Sequence, residues 1–188
     1  MSNTKQNLKE IWYEVIKDFK IKFPAYYKML NEAGFRAIVE EKRQRFFGRC
    51  YFKEKTVSLN LVMHKNSTKD MIIDTCLHEI AHAIDYLQRG KSNHGYQWKR
   101  LAKELGCSPM AKSKKSVDVD YNYIYAVEVR DNRFEYLSGT FRKPKYDKVN
   151  SYNADLTLKN NNKYVNPRIW LFDKDAWKEI KQKQESAN

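Results

Sequence analysis

Apolar residues return every three or four positions along the first segment: Leu8, Ile11, Trp12, Val15, Ile16 and Phe19, with Lys and Glu between them. That period predicts an amphipathic helix stopped before Pro24 and packed on a sheet. Ala25 to Ala33 continues as a short helical stretch closed by Gly34, the residue type best suited to a left-handed C-terminal position. The pattern then turns aromatic and β-branched, which predicts strands over Phe35 to Phe47, Arg49 to Lys53 and Thr56 to His64, with turns at Gly48 and Lys53-Glu54-Lys55. In the third strand Val57, Leu59, Leu61 and Met63 alternate with Ser58, Asn60 and Val62, so one face is expected to be apolar.

Ser67-x-x-Asp70 has the form of a capping box ahead of a long apolar-periodic run that reaches Gln88 before Gly90. This is the clearest helix in the chain. Tyr96 to about Leu105 predicts another, with Trp98, Leu101, Ala102 and Leu105 on one face and Gly106 as its stop. After Pro109 come a basic stretch, Lys112 to Lys115, and two aromatic segments, Tyr121 to Val129 and Arg133 to Arg142, which read as a hairpin turning at Asp131-Asn132. Beyond Lys143 the pattern weakens to a turn or loop at Asn160-Asn161-Asn162 and a short terminal helix from Asp173 to Gln184.

Composition narrows the class. The chain has 188 residues, 41% hydrophobic and 14% aromatic, which is enough for a real core and far from a disordered composition. Three widely spaced cysteines, Cys50, Cys76 and Cys107, make neither a disulfide framework nor a cysteine zinc ribbon, and a reducing compartment suits them. No apolar leader opens the chain and no run is long enough to span a bilayer. A soluble, intracellular protein without membrane association is therefore expected.

The chemistry gathers in the long helix, where His78-Glu79-Ile80-Ala81-His82 is an H-E-x-x-H. Histidines four apart lie about 40° apart around a helix, so both imidazoles can grip one ion. Glu79 lies about 100° from His78, placed to reach water on that ion as a general base. A catalytic zinc wants a third protein ligand. His94 follows across a loop containing Gly90, while Asp85, Glu104 or another carboxylate competes for the place. His64, at a strand end, reads as structural. One zinc per chain is expected, because a single set of ligands at catalytic spacing exists. An oxyanion donor is also wanted, and Tyr86, Tyr96, Tyr121 and Arg130 are all open candidates.

Gly48-Arg49-Cys50, the segment Val57 to Met63, His78-Glu79-x-x-His82 and then His94-Gly95-x-x-Trp98 opening a helix together resemble the SprT-like metalloprotease family, over roughly Leu8 to Cys107. A metzincin does not fit, since its third histidine follows six residues after the second, whereas His82 and His94 are twelve positions apart. The resemblance implies His78, His82 and His94 as zinc ligands and Glu79 as the catalytic base of a metalloendopeptidase. It implies an α+β fold: a zincin-like core of helices on a small β-sheet over residues 1–110, then a basic, aromatic-rich, ribbon-like C-terminal subdomain over 111–188. Many relatives carry a four-cysteine zinc ribbon there. Here the cysteines are absent, and Tyr121 to Tyr146 reads as the same ribbon held by aromatic packing.

Thirty-six Lys and Arg against 23 Asp and Glu leave a net charge of +13, whose natural partners are polyanions. Residues 1 to 60 hold 13 basic and 7 acidic side chains, and residues 61 to 110 hold 7 and 5, so the excess avoids the segment that carries the histidines. Lys42, Arg43, Arg45 and Arg49 interleave with Phe46, Phe47, Tyr51 and Phe52, and Arg142, Lys143 and Lys145 lie near tyrosines. Charge alternating with stacking faces suits single-stranded nucleic acid. The resemblance extends this to a protein substrate bound or crosslinked to single-stranded or damaged DNA, in the cytoplasm, nucleoid or nucleus. Two other readings stand beside it: a zinc protease that processes a specific partner without DNA, and a non-proteolytic binding module on the same scaffold.

Overall fold

The computed structural model describes residues 2–110, 119–130, 133–145 and 169–186. The expected basic stretch Lys112 to Lys115, the turn Asp131-Asn132, the ribbon end at Tyr146 and the turn Asn160 to Asn162 lie outside the described residues. The chain divides into two compact units, Met1–Val119 and Asp120–Asn188, and both combine helices with a small sheet. No helix among the described residues is long and apolar enough to cross a membrane.

In the first unit, helix α1 (Lys5–Lys22) starts at Thr4, whose hydroxyl accepts from the Asn7 N–H while the Asn7 side chain accepts from the Thr4 N–H. It buries Leu8, Trp12, Val15 and Phe19, the predicted stripe. The Trp12 indole donates to the Ile38 carbonyl at 3.2 Å, which ties the helix to the sheet below. Helix α2 (Pro24–Glu32) uses its proline in the first turn, where the missing N–H costs nothing. Gly34, at φ 80°, turns the chain into strand β1 (Arg36–Glu40).

The sheet has the order β1-β3-β2, where β2 is Gly48–Tyr51 and β3 is Thr56–Asn60. Strand β1 runs parallel to β3 and β2 antiparallel to it. Two strands are shorter than their patterns predict, and Asn60 explains both. Fully buried, its amide donates to the carbonyls of Lys42, Gln44 and Phe46 and accepts from the Lys42 N–H. The run expected to extend to Phe47 therefore leaves the sheet after Glu40 as a loop gathered on one side chain. The same carbonyl oxygen caps the turn α3 (Leu61–His64) through the Val62 N–H, so β3 stops there. All five residues of β3 are buried, because the strand is central and covered on both faces. Gly48 opens β2 and is not a turn.

Helix α4 (Lys69–Arg89) crosses this sheet and ends at Gly90, φ 70°. Its N-cap is Thr68, whose hydroxyl accepts from the Met71 N–H. Ser67, the expected cap, is instead engaged with His64 Nδ1 at 3.1 Å. Helix α5 (Tyr96–Leu105) buries Trp98, Leu101, Ala102 and Leu105 and completes a core that includes Leu8, Leu59, Ile72, Cys76 and Ile84.

In the second unit, β4 (Tyr123–Arg130) pairs antiparallel with β5 (Arg133–Thr140), as the hairpin pattern predicts. A third strand, β6 (Ile169–Asp173), pairs on the other side of β4 and carries straight into helix α6 (Lys174–Ser186). Nothing in the sequence pattern announced β6, because its partners, Tyr123 to Val127, lie more than 40 residues upstream. The aromatic rings of Phe134 and Phe172, centroids 5.1 Å apart, and of Phe172 and Trp177, 6.0 Å apart, hold strands and helix together. Gly139 is required here: a Cβ would fall within 1.9 Å of the Tyr121 ring.

Candidate active site

Helix α4 carries the H-E-x-x-H through its buried half. His78 and His82 lie one turn apart on a single face, with ring centroids 5.0 Å apart. Past the left-handed stop at Gly90 the chain reverses, and Asn93, accepting from the Gly95 N–H at 2.8 Å, shapes the turn that delivers His94. His94 Nε2 lies 3.1 Å from His78 Nε2 and 3.1 Å from His82 Nε2. Among the described residues, these three form the group whose ligand atoms converge, all within 4.8 Å of one another. The carboxylate alternatives are engaged elsewhere: Asp85 with Arg89 at 2.6 Å, and Glu104 with the Tyr26 hydroxyl.

Trp98 forms the floor. Fully buried, its ring lies 4.6 Å from that of His78, 4.9 Å from that of His82 and 4.5 Å from that of His94. It is a core residue of α5, as the pattern predicts, and also a wedge that fixes three imidazoles. His82 Nδ1 lies 2.8 Å from the Ser92 hydroxyl, and Ser92 in turn bonds to the buried Asp85 carboxylate, itself held by Arg89. A hydroxyl that donates to Asp85 accepts from the Nδ1–H of His82. That leaves the His82 Nε2 lone pair aimed at the convergence point, the arrangement by which metal-binding histidines are oriented.

The protonation preferences agree with three neutral imidazoles. Burial, reinforced by the neighbouring rings, depresses His78 to about 4 and His82 to about 3, and burial also lowers His94. The site therefore presents unprotonated nitrogens at neutral pH, the form that binds a metal ion. Three neutral nitrogens converging on one point, with the tautomer of one fixed from behind, fit a tetrahedral zinc that keeps one position open.

Glu79 is buried on the next face. Its carboxyl accepts from the Cys50 backbone N–H, but burial prevails and pushes it up to about 8. Strand β2 comes this close because of Gly48: a Cβ there would lie 2.8 Å from Glu79 Cγ, 2.8 Å from Thr75 Cγ2 and 2.9 Å from the Ser58 carbonyl. Of the residues around the site, the motif marks His78, Glu79, His82 and His94. It is silent on Ser92, and Asp85 is engaged with Ser92 and Arg89 behind His82.

His64 is not part of this group. It is buried beside Phe47, ring centroids 5.1 Å apart, and burial depresses it to about 4. The basic residues are exposed as expected: Lys42, Arg43, Arg45 and Arg49 in the first unit, and Arg142, Lys143 and Lys145 in the second. Lys42 is drawn to Glu40 at 2.5 Å and to the Tyr51 hydroxyl at 2.9 Å, while Arg49 lies 4.3 Å over the Phe46 ring. Two of the aromatics are committed to packing, Phe47 against His64 and Phe52 stacked on Tyr86 at 4.5 Å. Of the oxyanion candidates, Tyr96 is largely exposed and Tyr86 carries the Phe52 stack.

No curated protein and no solved structure matches the chain. The model of the SprT-like family matches residues 17–120, more than half of the 188 and spanning the three histidines, Glu79, Gly48 and Trp98; the chain belongs to the SprT-like family.

Proposed function

We propose that the protein is a zinc-dependent metalloendopeptidase with a zincin-like core that cleaves proteins bound or crosslinked to DNA. The observation that carries the peptidase reading is the convergence of His78, His82 and His94 on one point beside the buried carboxyl of Glu79. Zinc, when bound, supplies Lewis-acid polarisation of a carbonyl, acidifies water to near neutrality and by its charge favours the Glu79 carboxylate. Glu79 then accepts the proton from the attacking water at its carboxylate and returns it to the leaving amine. The Cys50 N–H keeps that carboxylate oriented. Strand β2 is an edge strand of the sheet, and an extended peptide can lie along it beside Glu79 by main-chain pairing.

The DNA part of the reading rests on the exposed cations and on family membership. Arg49 over Phe46 and the neighbouring Arg43 and Arg45 offer charge with a stacking face. The deciding experiment is cleavage of a DNA-binding protein by the zinc-loaded protein, with and without single-stranded DNA. Glu79→Gln is expected to keep zinc and fold while lowering turnover by about 10² to 10⁴-fold, the usual worth of a general base. Equal turnover in the variant would sink the peptidase reading, and equal turnover with and without DNA would leave a protease acting on a partner alone.

A further inference from the structure

The half of α4 that precedes His78 and Glu79 lines an open cleft of about 510 Å³. We propose that this cleft receives a lysine or arginine side chain of the polypeptide substrate, close to the scissile bond; the inference rests on the peptidase reading and specifies its substrate.

The position follows from helix geometry. Asp74 precedes His78 by four residues and Thr75 precedes Glu79 by four, so these two cleft residues each lie one turn from a residue of the site and on the same face. Thr75 and Glu79 also face the same glycine, since a Cβ built on Gly48 would lie 2.8 Å from Thr75 Cγ2 and 2.8 Å from Glu79 Cγ. Phe47, the residue before Gly48, also lines the cleft. A peptide lying along β2 next to Glu79 would therefore present one of its side chains to the cleft.

The chemistry follows from the lining. Phe47, Met71 and Met110 provide apolar walls, and Asp70 and Asp74 provide carboxylates. The Asp74 carboxylate is held by the Ser108 N–H at 2.7 Å through Oδ1, which fixes the direction of its second oxygen. A long aliphatic stem ending in a cation matches both features, since the methylenes pack on the apolar wall while the charge reaches the carboxylates. An acidic side chain would be repelled, and a purely apolar one would strip water from two carboxylates without replacing it. The volume lies within the usual range of pockets that take a discrete group. Two carboxylates placed together here also run against the basic balance of the chain as a whole.

The test uses fluorogenic peptides in which a single Lys is walked across the cleaved region, each paired with a copy carrying norleucine at that position. The zinc-loaded protein should cleave one Lys peptide with a kcat/KM about tenfold above its norleucine partner, as one charge-assisted contact provides. Asp74→Asn, which keeps the acceptor for Ser108, should bring that ratio close to one. Asp70→Asn, at an exposed position that does not threaten the fold, should lower it about two- to threefold, the smaller worth of an exposed ion pair. Binding of the same peptides to Glu79→Gln, followed by anisotropy, should show the same preference without cleavage. Equal rates and equal binding for every pair would overturn the inference while leaving the peptidase intact. If the parent cleaves no peptide either with or without single-stranded DNA, the peptidase reading fails, and the binding measurement still decides whether the cleft selects a cation.

Discussion

The two units spend their buried polar groups very differently. In the first, Thr56, Ser58, Asn60, His64, Ser67, Glu79, His82 and Asp85 are all buried; in the second, among the described residues, Ser138 is the one buried polar side chain. The second unit is built from Ile124, Tyr125, Ala126, Val127 and an aromatic layer. Taking a polar group out of water costs free energy unless a partner is supplied. Their concentration in one unit therefore marks where the fold gives up simple apolar packing for something else. Two uses can be separated there. Asn60 gathers a loop and Ser67 engages His64, whereas Glu79, His82 and Asp85 lie around the point where the three histidines converge.

The sharpest way to break this comparison is to remove Asn60. Asn60→Ala leaves the carbonyls of Lys42, Gln44 and Phe46 and the Lys42 N–H without their buried partner. The expected loss is about 3 kcal/mol or more, measured by urea unfolding. Ser138→Ala in the second unit should cost about 1 kcal/mol or less. Equal losses would mean that buried polar groups weigh the same in both units, and the distinction would collapse.

A second probe uses pH. Burial depresses His64 to about 4, against an unfolded value of about 6.5. As pH falls through 6.5 the unfolded chain takes up this proton while the folded chain refuses it until about 4. The contribution is thus fully present above 6.5, is lost between 6.5 and 4, and is constant below. The window corresponds to about 3 kcal/mol at most. His64→Gln should remove that part of the acid destabilisation, seen as the difference between parent and variant urea titrations at pH 7 and pH 4.5. An unchanged difference would assign the acid sensitivity to other groups.

How far these features were legible in the sequence depends on the distance over which each is determined. Helix α4, its left-handed stop at Gly90 and His78, Glu79 and His82 are local and periodic, so pattern alone places them, whereas His94 arrives from a loop and in the sequence its place stays open to a carboxylate. The end of β1 at Glu40 is not local: an apolar, β-branched run continues, and a side chain 20 residues later ends the strand. The cap at Thr68 displaces Ser67 because His64, buried three residues earlier, claims the serine hydroxyl. Strand β6 needs a partner far upstream, which no window of sequence contains. At the site, Trp98 reads as core and is core; only the folded geometry reveals that it also wedges three imidazoles.

Ser92 is the site residue that pattern cannot find, and its removal gives a smaller effect. Ser92→Ala cuts the connection between Asp85 and His82 Nδ1 while leaving all three ligands in place. Zinc affinity, measured by competition with a chelator, should fall about 10- to 100-fold, the usual cost of losing a group that orients a ligand. Ser92→Thr, which restores the hydroxyl, should recover most of it. Loss in both variants alike would point to loop packing, not to the hydroxyl, and would remove Ser92 from its positioning role.

The smallest effect per residue is expected from the exposed cations, because each interacts through water and salt screens it. Lys42 should contribute least of its cluster, since Glu40 and the Tyr51 hydroxyl already hold its ammonium. Arg43, Arg45 and Arg49 stand exposed, the last over the Phe46 ring. Reversing those three charges should reduce the slope of log affinity for single-stranded DNA against log salt by about 0.7 for every phosphate that the variant no longer neutralises. Reversal of Arg142, Lys143 and Lys145 tests the second unit in the same way. If only the first variant changes the slope, the unit that carries the three histidines also binds the nucleic acid, and the second unit is left to packing. If both change it, the aromatic unit shares the binding despite its lack of buried polar chemistry. Unchanged slopes in both would return the positive charge to a plain role in keeping the surface soluble, and the DNA-directed part of the proposed function would fall with it.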